Sequence, residues 1–230
     1  MGERIEFTSS ASKAGGYLAS ATSGHGPGVV VVQEWWGLVP QIERVADRLA
    51  AEGFTALAPD LYHGEIAEHT EMDKAGHLMS TLPIARAVDD MQAAVAYLLA
   101  HPATTGTSVG VVGFCMGGML ALRLAAAGGA SIGAAVPYYG APLGDDSVDW
   151  STLRAPVLGH FAERDDFFGP EPVRALEAQL RAAGHEVEFR IHPGTGHGFT
   201  NEENPLGNWD PAATAVAWDA TIAFLHEHLG

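Results

Sequence analysis

The sequence predicts an α/β protein with a mostly parallel sheet of about seven or eight strands and helices on both faces. Three observations carry that expectation. Strand-like apolar runs alternate with amphipathic stretches of helical length throughout the 230 residues. Residues 29–33 form an unbroken run, Val-Val-Val-Val-Gln, as in a strand covered on both faces. Finally, a β-branched run at 109–112 leads through Gly113-Phe114-Cys115-Met116-Gly117-Gly118 directly into a helical pattern.

The remaining elements follow in order. Residues 4–9 and 16–23 are short β-like runs joined by Ser-Ala-Ser-Lys-Ala-Gly, which reads as an antiparallel hairpin at a sheet edge. After the strand at 29–33 comes the loop Glu34-Trp35-Trp36-Gly37-Leu38. Residues 40–52 then form an amphipathic helix closed by Gly53. A strand at 54–58 ends in Pro59-Asp60-Leu61-Tyr62. Residues 63–83 are polar and mixed in period, a candidate lid or insertion within a single domain spanning 1–230. Val88, Met91, Val95 and Leu98 put residues 84–100 on a helix. Further strands are expected at 133–138, 156–161 and 187–191, with helices at 172–183 and 211–229.

Composition limits the function classes. With 28 acidic against 12 basic residues, the formal net charge is −16. Such a surface repels phosphate backbones, so neither nucleic-acid binding nor attraction to anionic substrates is expected. One cysteine allows no internal disulfide and no Cys-x-x-Cys site. Neither a signal-peptide pattern nor an apolar run of membrane-spanning length is present. The expectation is a cytoplasmic protein, a monomer or small homo-oligomer without nucleic-acid or membrane partners.

The segment around Cys115 is where chemistry is expected. A side chain raised on a strand-to-helix turn is strained and crowded, and glycines at 113 and 117 allow the backbone to pass. The following helix aims its first N–H groups at Cys115, which favours a thiolate and an oxyanion. A buried, inert cysteine is the competing reading.

Partners should come from loops at the carboxyl ends of strands. After the strand at 156–161 stand Asp165 and Asp166, and Asp165 is preferred as the acid. After 187–191 the Gly-rich turn carries His197, preferred over His192 as the base. Cys115 would attack a carbonyl, His197 would move the proton, and Asp165 would orient the ring. Backbone N–H groups of Trp35 and Met116 would form the oxyanion hole. Glu34 ends an apolar strand at the same sheet edge and would hydrogen-bond the thiol, with burial raising its pKa. The isolated His226-Glu227-His228 lacks metal-ligand spacing and reads as a solvated helix end.

Together these residues resemble the dienelactone hydrolase family of α/β-hydrolases. The resemblance covers nearly the whole chain: Gln33-Glu34-Trp35-Trp36-Gly37, Ala58-Pro59-Asp60-Leu61-Tyr62, the Cys115 elbow, Tyr138-Tyr139-Gly140, Glu163-Arg164-Asp165 and Gly196-His197-Gly198-Phe199. It implies an α/β-hydrolase fold and a Cys115–His197–Asp165 triad, with Glu34 acting on the thiol. It also implies carboxymethylenebutenolidase-type ester or lactone hydrolysis, with no metal or organic cofactor. Trp36, Tyr139, Phe199 and Asn201 are candidates to contact substrate. Two departures bear on that substrate. The family holds a carboxylate with arginines, yet the position four residues after His197 is Asn201, and 63–83 contains only Lys74 as a base. A neutral ester, lactone or thioester fits these residues at least as well. A non-catalytic binding protein on the same fold is the reading from another class.

Overall fold

A computed structural model describes residues 2–9, 13–144 and 147–230 of the chain. Eight strands form one sheet: β1 (Glu3–Thr8), β2 (Lys13–Ala19), β3 (Gly26–Val32), β4 (Thr55–Pro59), β5 (Thr104–Phe114), β6 (Ile132–Tyr138), β7 (Val157–Arg164) and β8 (Val187–Gly196). Their spatial order is β1-β2-β4-β3-β5-β6-β7-β8. The β1–β2 and β2–β4 pairs are antiparallel, and every other pair is parallel. From β3 the chain moves outward to β4, then crosses back to place β5 on the other side. That reversal makes the carboxyl ends of β3 and β5 the natural place for a ligand crevice.

Six helices cover the sheet: α1 (Pro40–Ala51), α2 (Met72–Thr81), α3 (Ile84–Ala100), α4 (Met116–Gly128), α5 (Pro170–Ala182) and α6 (Pro211–Leu229). On α3 the buried Ala87, Met91, Ala94 and Leu98 recur at spacings of three and four, one stripe of an amphipathic helix. By contrast, α4 is buried nearly all round, including Leu120, Ala121, Leu122, Leu124 and Ala125. It packs on the sheet from within the protein rather than at its surface. Asp210 starts α6, its side chain accepting from the Ala212 and Ala213 N–H groups at 3.0 and 2.9 Å, with Pro211 in the first turn. Strand β3 is buried along its whole length, as an unbroken apolar run requires.

The sequence placed most elements within a few residues, and the differences have physical causes. The second run of the hairpin starts at Lys13, because Thr8 pairs with Lys13 and the strand extends toward the turn. The expected connector residues 10–12 lie outside the described residues. Polar Thr104–Ser108 extends β5 toward solvent, where apolar pattern gives no signal. The stretch 63–83 holds a helix, α2, with only Ala75 and Leu78 buried, so its periodicity is faint. Strands β7 and β8 run on to Arg164 and Gly196, past the apolar residues that revealed them. Among the described residues no helix is long and apolar enough to cross a membrane.

Backbone crowding beneath α4 gives a stability test. A Cβ at Gly117 would lie closer than 3.0 Å to the carbonyl oxygens of Val32 and Gln33, whereas one at Gly76 of α2 meets nothing within 4 Å. Gly117→Ala is expected to cost about 3 kcal/mol or more in urea unfolding, while Gly76→Ala should be neutral or stabilise by up to about 1 kcal/mol. Equal stabilities for the two variants would contradict this packing.

Candidate active site

Strand register assembles the site. Phe114 on β5 pairs with Tyr138 on β6, so Cys115 and Tyr139 emerge side by side. The Cys115 N–H donates to the Tyr138 carbonyl at 3.0 Å, and the Tyr139 N–H donates to the His160 carbonyl at 2.7 Å. Val32 pairs with Gly113, which brings Glu34 to the same edge. Arg164 on β7 pairs with Gly196 on β8, so the next residues, Asp165 and His197, face each other.

Cys115 sits at φ 53° and ψ −119°, a conformation that L residues rarely adopt, immediately before the first turn of α4. Its neighbours make room for it. A Cβ on Gly113 would strike the Gly117 carbonyl, and one on Gly140 would strike the Cys115 carbonyl. The first turn of α4 begins at Met116, whose N–H has no acceptor within the helix.

His197 is buried, and its Nδ1 hydrogen-bonds Asp165 Oδ2 at 2.8 Å. Burial opposes charge on the ring, but hydrogen bonds to Asp165 and to Cys115 outweigh it and raise the pKa to about 10. With Nδ1 engaged by the carboxylate, Nε2 is the ring atom left for the sulfur. Burial would raise the pKa of Asp165. The His197 hydrogen bond and the N–H groups of Phe168 and Phe167 overcome that effect and hold it low. Those two N–H groups reach Asp165 Oδ1 at 3.0 and 2.9 Å. Asp165 is thus an acceptor with one oxygen on the ring and the other held by two backbone N–H groups. Tyr139, Phe167 and Phe168 surround the imidazole, with ring centroids 5.2, 5.0 and 5.8 Å from it.

The two alternatives left open by the sequence go elsewhere. Asp166 is exposed on the wall of a pocket, and His192 lies 3.0 Å from His160 Nδ1 in a buried chain that continues to Thr221 and Tyr138.

Glu34 is positioned differently from the sequence expectation. It is buried and its two oxygens are held by side chains other than the thiol: Tyr139 OH donates to Oε1 at 3.2 Å and Asn201 Nδ2 to Oε2 at 2.8 Å. Burial raises its pKa, against the nearby His197 charge and those two hydrogen bonds. The sequence shows a Gln-Glu at a strand end, but not that Tyr139, at φ 36°, would turn its hydroxyl onto it. The Tyr139 hydroxyl also meets Thr200 Oγ1 at 2.8 Å.

Of the expected substrate contacts, Trp36, Tyr139, Phe199 and Asn201 are all buried. Trp36 and Asn201 reach only a small crevice beside Glu34, Cys115 and His197. The open pocket over Cys115, about 600 Å³, is walled by Met72 and Met79 of α2, Met119 of α4, Phe167, Phe168 and Leu206, with Trp35 at its edge. Sequence reasoning missed these residues. The two α2 methionines lie in a segment without clear period, and exposed Phe167 follows the aspartates in a loop where no pattern marks it.

No three His, Cys, Asp or Glu side chains among the described residues converge as metal ligands would. His226 and His228, near the end of α6, pack instead on Phe54 and Phe224.

Comparison with known proteins agrees with this architecture. The family model described as "Dienelactone hydrolase family" matches residues 14–229. Protein usf of Aquifex pyrophilus is 36% identical, with both chains covered in full. The carboxymethylenebutenolidase of Pseudomonas sp. strain P51 is 33% identical over 92% of this chain and 89% of its own. A solved structure, a dienelactone hydrolase-like promiscuous phosphotriesterase from metagenomic libraries, superposes with a TM-score of 0.86. It is 26% identical and covers 100% of this chain and 99% of its own. The sheet order, the elbow and these relatives lead to one assignment: the chain is an α/β-hydrolase-fold enzyme that belongs to the dienelactone hydrolase family.

Proposed function

We propose that the protein hydrolyses a carboxylic ester or lactone through an acyl-cysteine formed on Cys115, with His197 and Asp165 completing the triad. The observation that carries the reading is the 2.8 Å His197–Asp165 hydrogen bond, on a ring that lines the same pocket as a cysteine held in the elbow conformation.

The Cys115 thiol passes its proton to His197 Nε2, and the resulting imidazolium is stabilised by the ionised Asp165. The thiolate attacks the carbonyl carbon, and the C=O electron pair moves onto oxygen. The Met116 N–H at the start of α4 and the Trp35 N–H after β3 are the donors proposed for that oxyanion. Collapse breaks the C–O bond, and the leaving alkoxide takes the proton from His197. Water, deprotonated by His197, then attacks the thioester, releases the carboxylic acid and restores the thiol. A thioester substrate would pass through the same steps with a thiolate leaving. A nucleophile that must remain a free thiol fits a reducing cytoplasm.

Glu34 acts in this reading through the field at His197. A carboxylate there favours the imidazolium, just as the imidazolium lowers the carboxyl pKa. Asn201 fixes that carboxyl group in place of contacting substrate.

Cys115→Ala should lower kcat/KM for p-nitrophenyl acetate by about 10³-fold or more, and His197→Ala similarly. Wild-type rates in Cys115→Ala would sink the mechanism. Glu34→Gln should keep the fold while moving the alkaline limb of the kcat/KM profile to lower pH, because the imidazolium loses a stabilising charge. A superimposable pH profile would remove Glu34 from the proton path. The raised His197 pKa also predicts a stability signature. Its contribution is fully present below the unfolded value of 6.5 and is lost as pH rises through about 10. The Tm difference between wild type and His197→Gln should therefore narrow from pH 6 to pH 10, in thermal unfolding at fixed salt. A gap that widens over that range would contradict the assigned ion pair.

A further inference from the structure

The pocket above Cys115 has a chemistry that the triad does not explain. Met72, Met79, Met119, Phe167, Phe168 and Leu206 give it an apolar wall, and apart from Cys115 and His197 the polar groups among its described lining residues are Ser80, Asp166 and the Trp35 indole N–H. No lysine or arginine lines it. The single base of the segment carrying α2, Lys74, lies 3.9 Å from Glu71, and Arg86 donates to the Leu61 carbonyl at 3.3 Å. Asn201, in the loop after His197, is committed to Glu34. Among the described residues, the charged side chain on the pocket wall outside the Cys115–His197 centre is therefore the Asp166 carboxylate, on a chain of formal net charge −16. An anionic group seated on the apolar wall, away from His197, would leave water without gaining a partner, and would meet like charge.

Three of the wall residues keep large apolar surfaces in water: Phe167 is 67% exposed, Met72 43% and Met79 39%. They face the same pocket from two sides, α2 and the loop after β7. Exposed apolar groups that converge on a cleft beside a nucleophile are placed to be covered by a ligand. Methionine suits a site that accepts chains of variable shape, being unbranched and flexible. The volume, about 600 Å³, leaves room for much more than an acetyl group.

We infer that the enzyme's substrates are neutral esters carrying an apolar chain of several carbons, seated between α2 and the Phe167–Phe168 loop, and that carboxylate-bearing esters are poor substrates. This rests on the ester-hydrolase reading above and narrows its substrate class.

The test uses the full chain and p-nitrophenyl esters of acetate, butyrate, hexanoate and octanoate. The p-nitrophenyl monoester of adipate has the carbon count of hexanoate with a terminal carboxylate. Each buried methylene is worth about fourfold, so kcat/KM should rise at least about tenfold from acetate to hexanoate. The adipate monoester should fall about 30-fold or more below hexanoate. Met79→Arg, checked for an unchanged Tm, should lower the hexanoate-to-adipate ratio by about tenfold by supplying the missing cation. Turnover of acetate with a flat or falling chain-length dependence overturns this assignment while leaving the hydrolase reading intact. So does adipate turnover equal to that of hexanoate. Absence of turnover with every ester overturns both.

Discussion

The constraint on which the site depends is the backbone crowding at the β5–α4 turn. Cys115 can stand at φ 53° only because the chain segments around it approach without side chains between them. Gly113 faces the carbonyl of Gly117, Gly117 faces the carbonyls of Val32 and Gln33, Gly118 those of Tyr138 and Gly140, and Gly140 faces that of Cys115. The turn is thereby clamped between the ends of β3 and β6, not simply appended to β5. A strained residue persists where its surroundings over-determine it, and here packed backbone supplies that determination. The apolar burial of α4 on nearly every side anchors the other end of the turn.

Once that turn is set, strand register does the rest. A reacting constellation needs groups held within a fraction of an ångström, and loops alone seldom provide this. Here each functional side chain is the first or second residue beyond a strand whose neighbour is paired to the end. Arg164 opposite Gly196 delivers Asp165 to His197, and Phe114 opposite Tyr138 delivers Cys115 to Tyr139. The Asp165 carboxylate, capped by the Phe167 and Phe168 N–H groups, then orients a ring that three aromatic side chains already confine.

What was legible in the sequence follows from these facts. Steric necessity leaves marks, so the glycines around Cys115 and the apolar run of β3 could be read directly. Asp165 and His197 were readable as residues at strand ends, although apolar pattern ended at Phe161 and Ile191 while pairing continued to Arg164 and Gly196. Hydrogen bonding between distant segments leaves no such mark. Nothing in Gln33-Glu34 reveals that Tyr139 and Asn201 would engage the carboxylate, 105 and 167 residues away in sequence. The pocket wall was hidden for a further reason. Met72 and Met79 lie on a helix with two buried residues, and a helix that faces a cleft shows the polarity pattern of a surface.

Asn201 connects these levels. A neutral amide donating to Glu34 satisfies a buried carboxylate without adding a positive charge near Cys115. An arginine at that position would hold the same carboxylate and also present a cation to an entering anion. With Asn201 the glutamate is held by a neutral donor, and burial raises its pKa against the nearby His197 charge. The apolar wall on α2 and at Phe167 offers a ligand surface to remove from water. Under the proposed mechanism, placement of the proton and choice of substrate would both depend on the side chain that donates to Glu34.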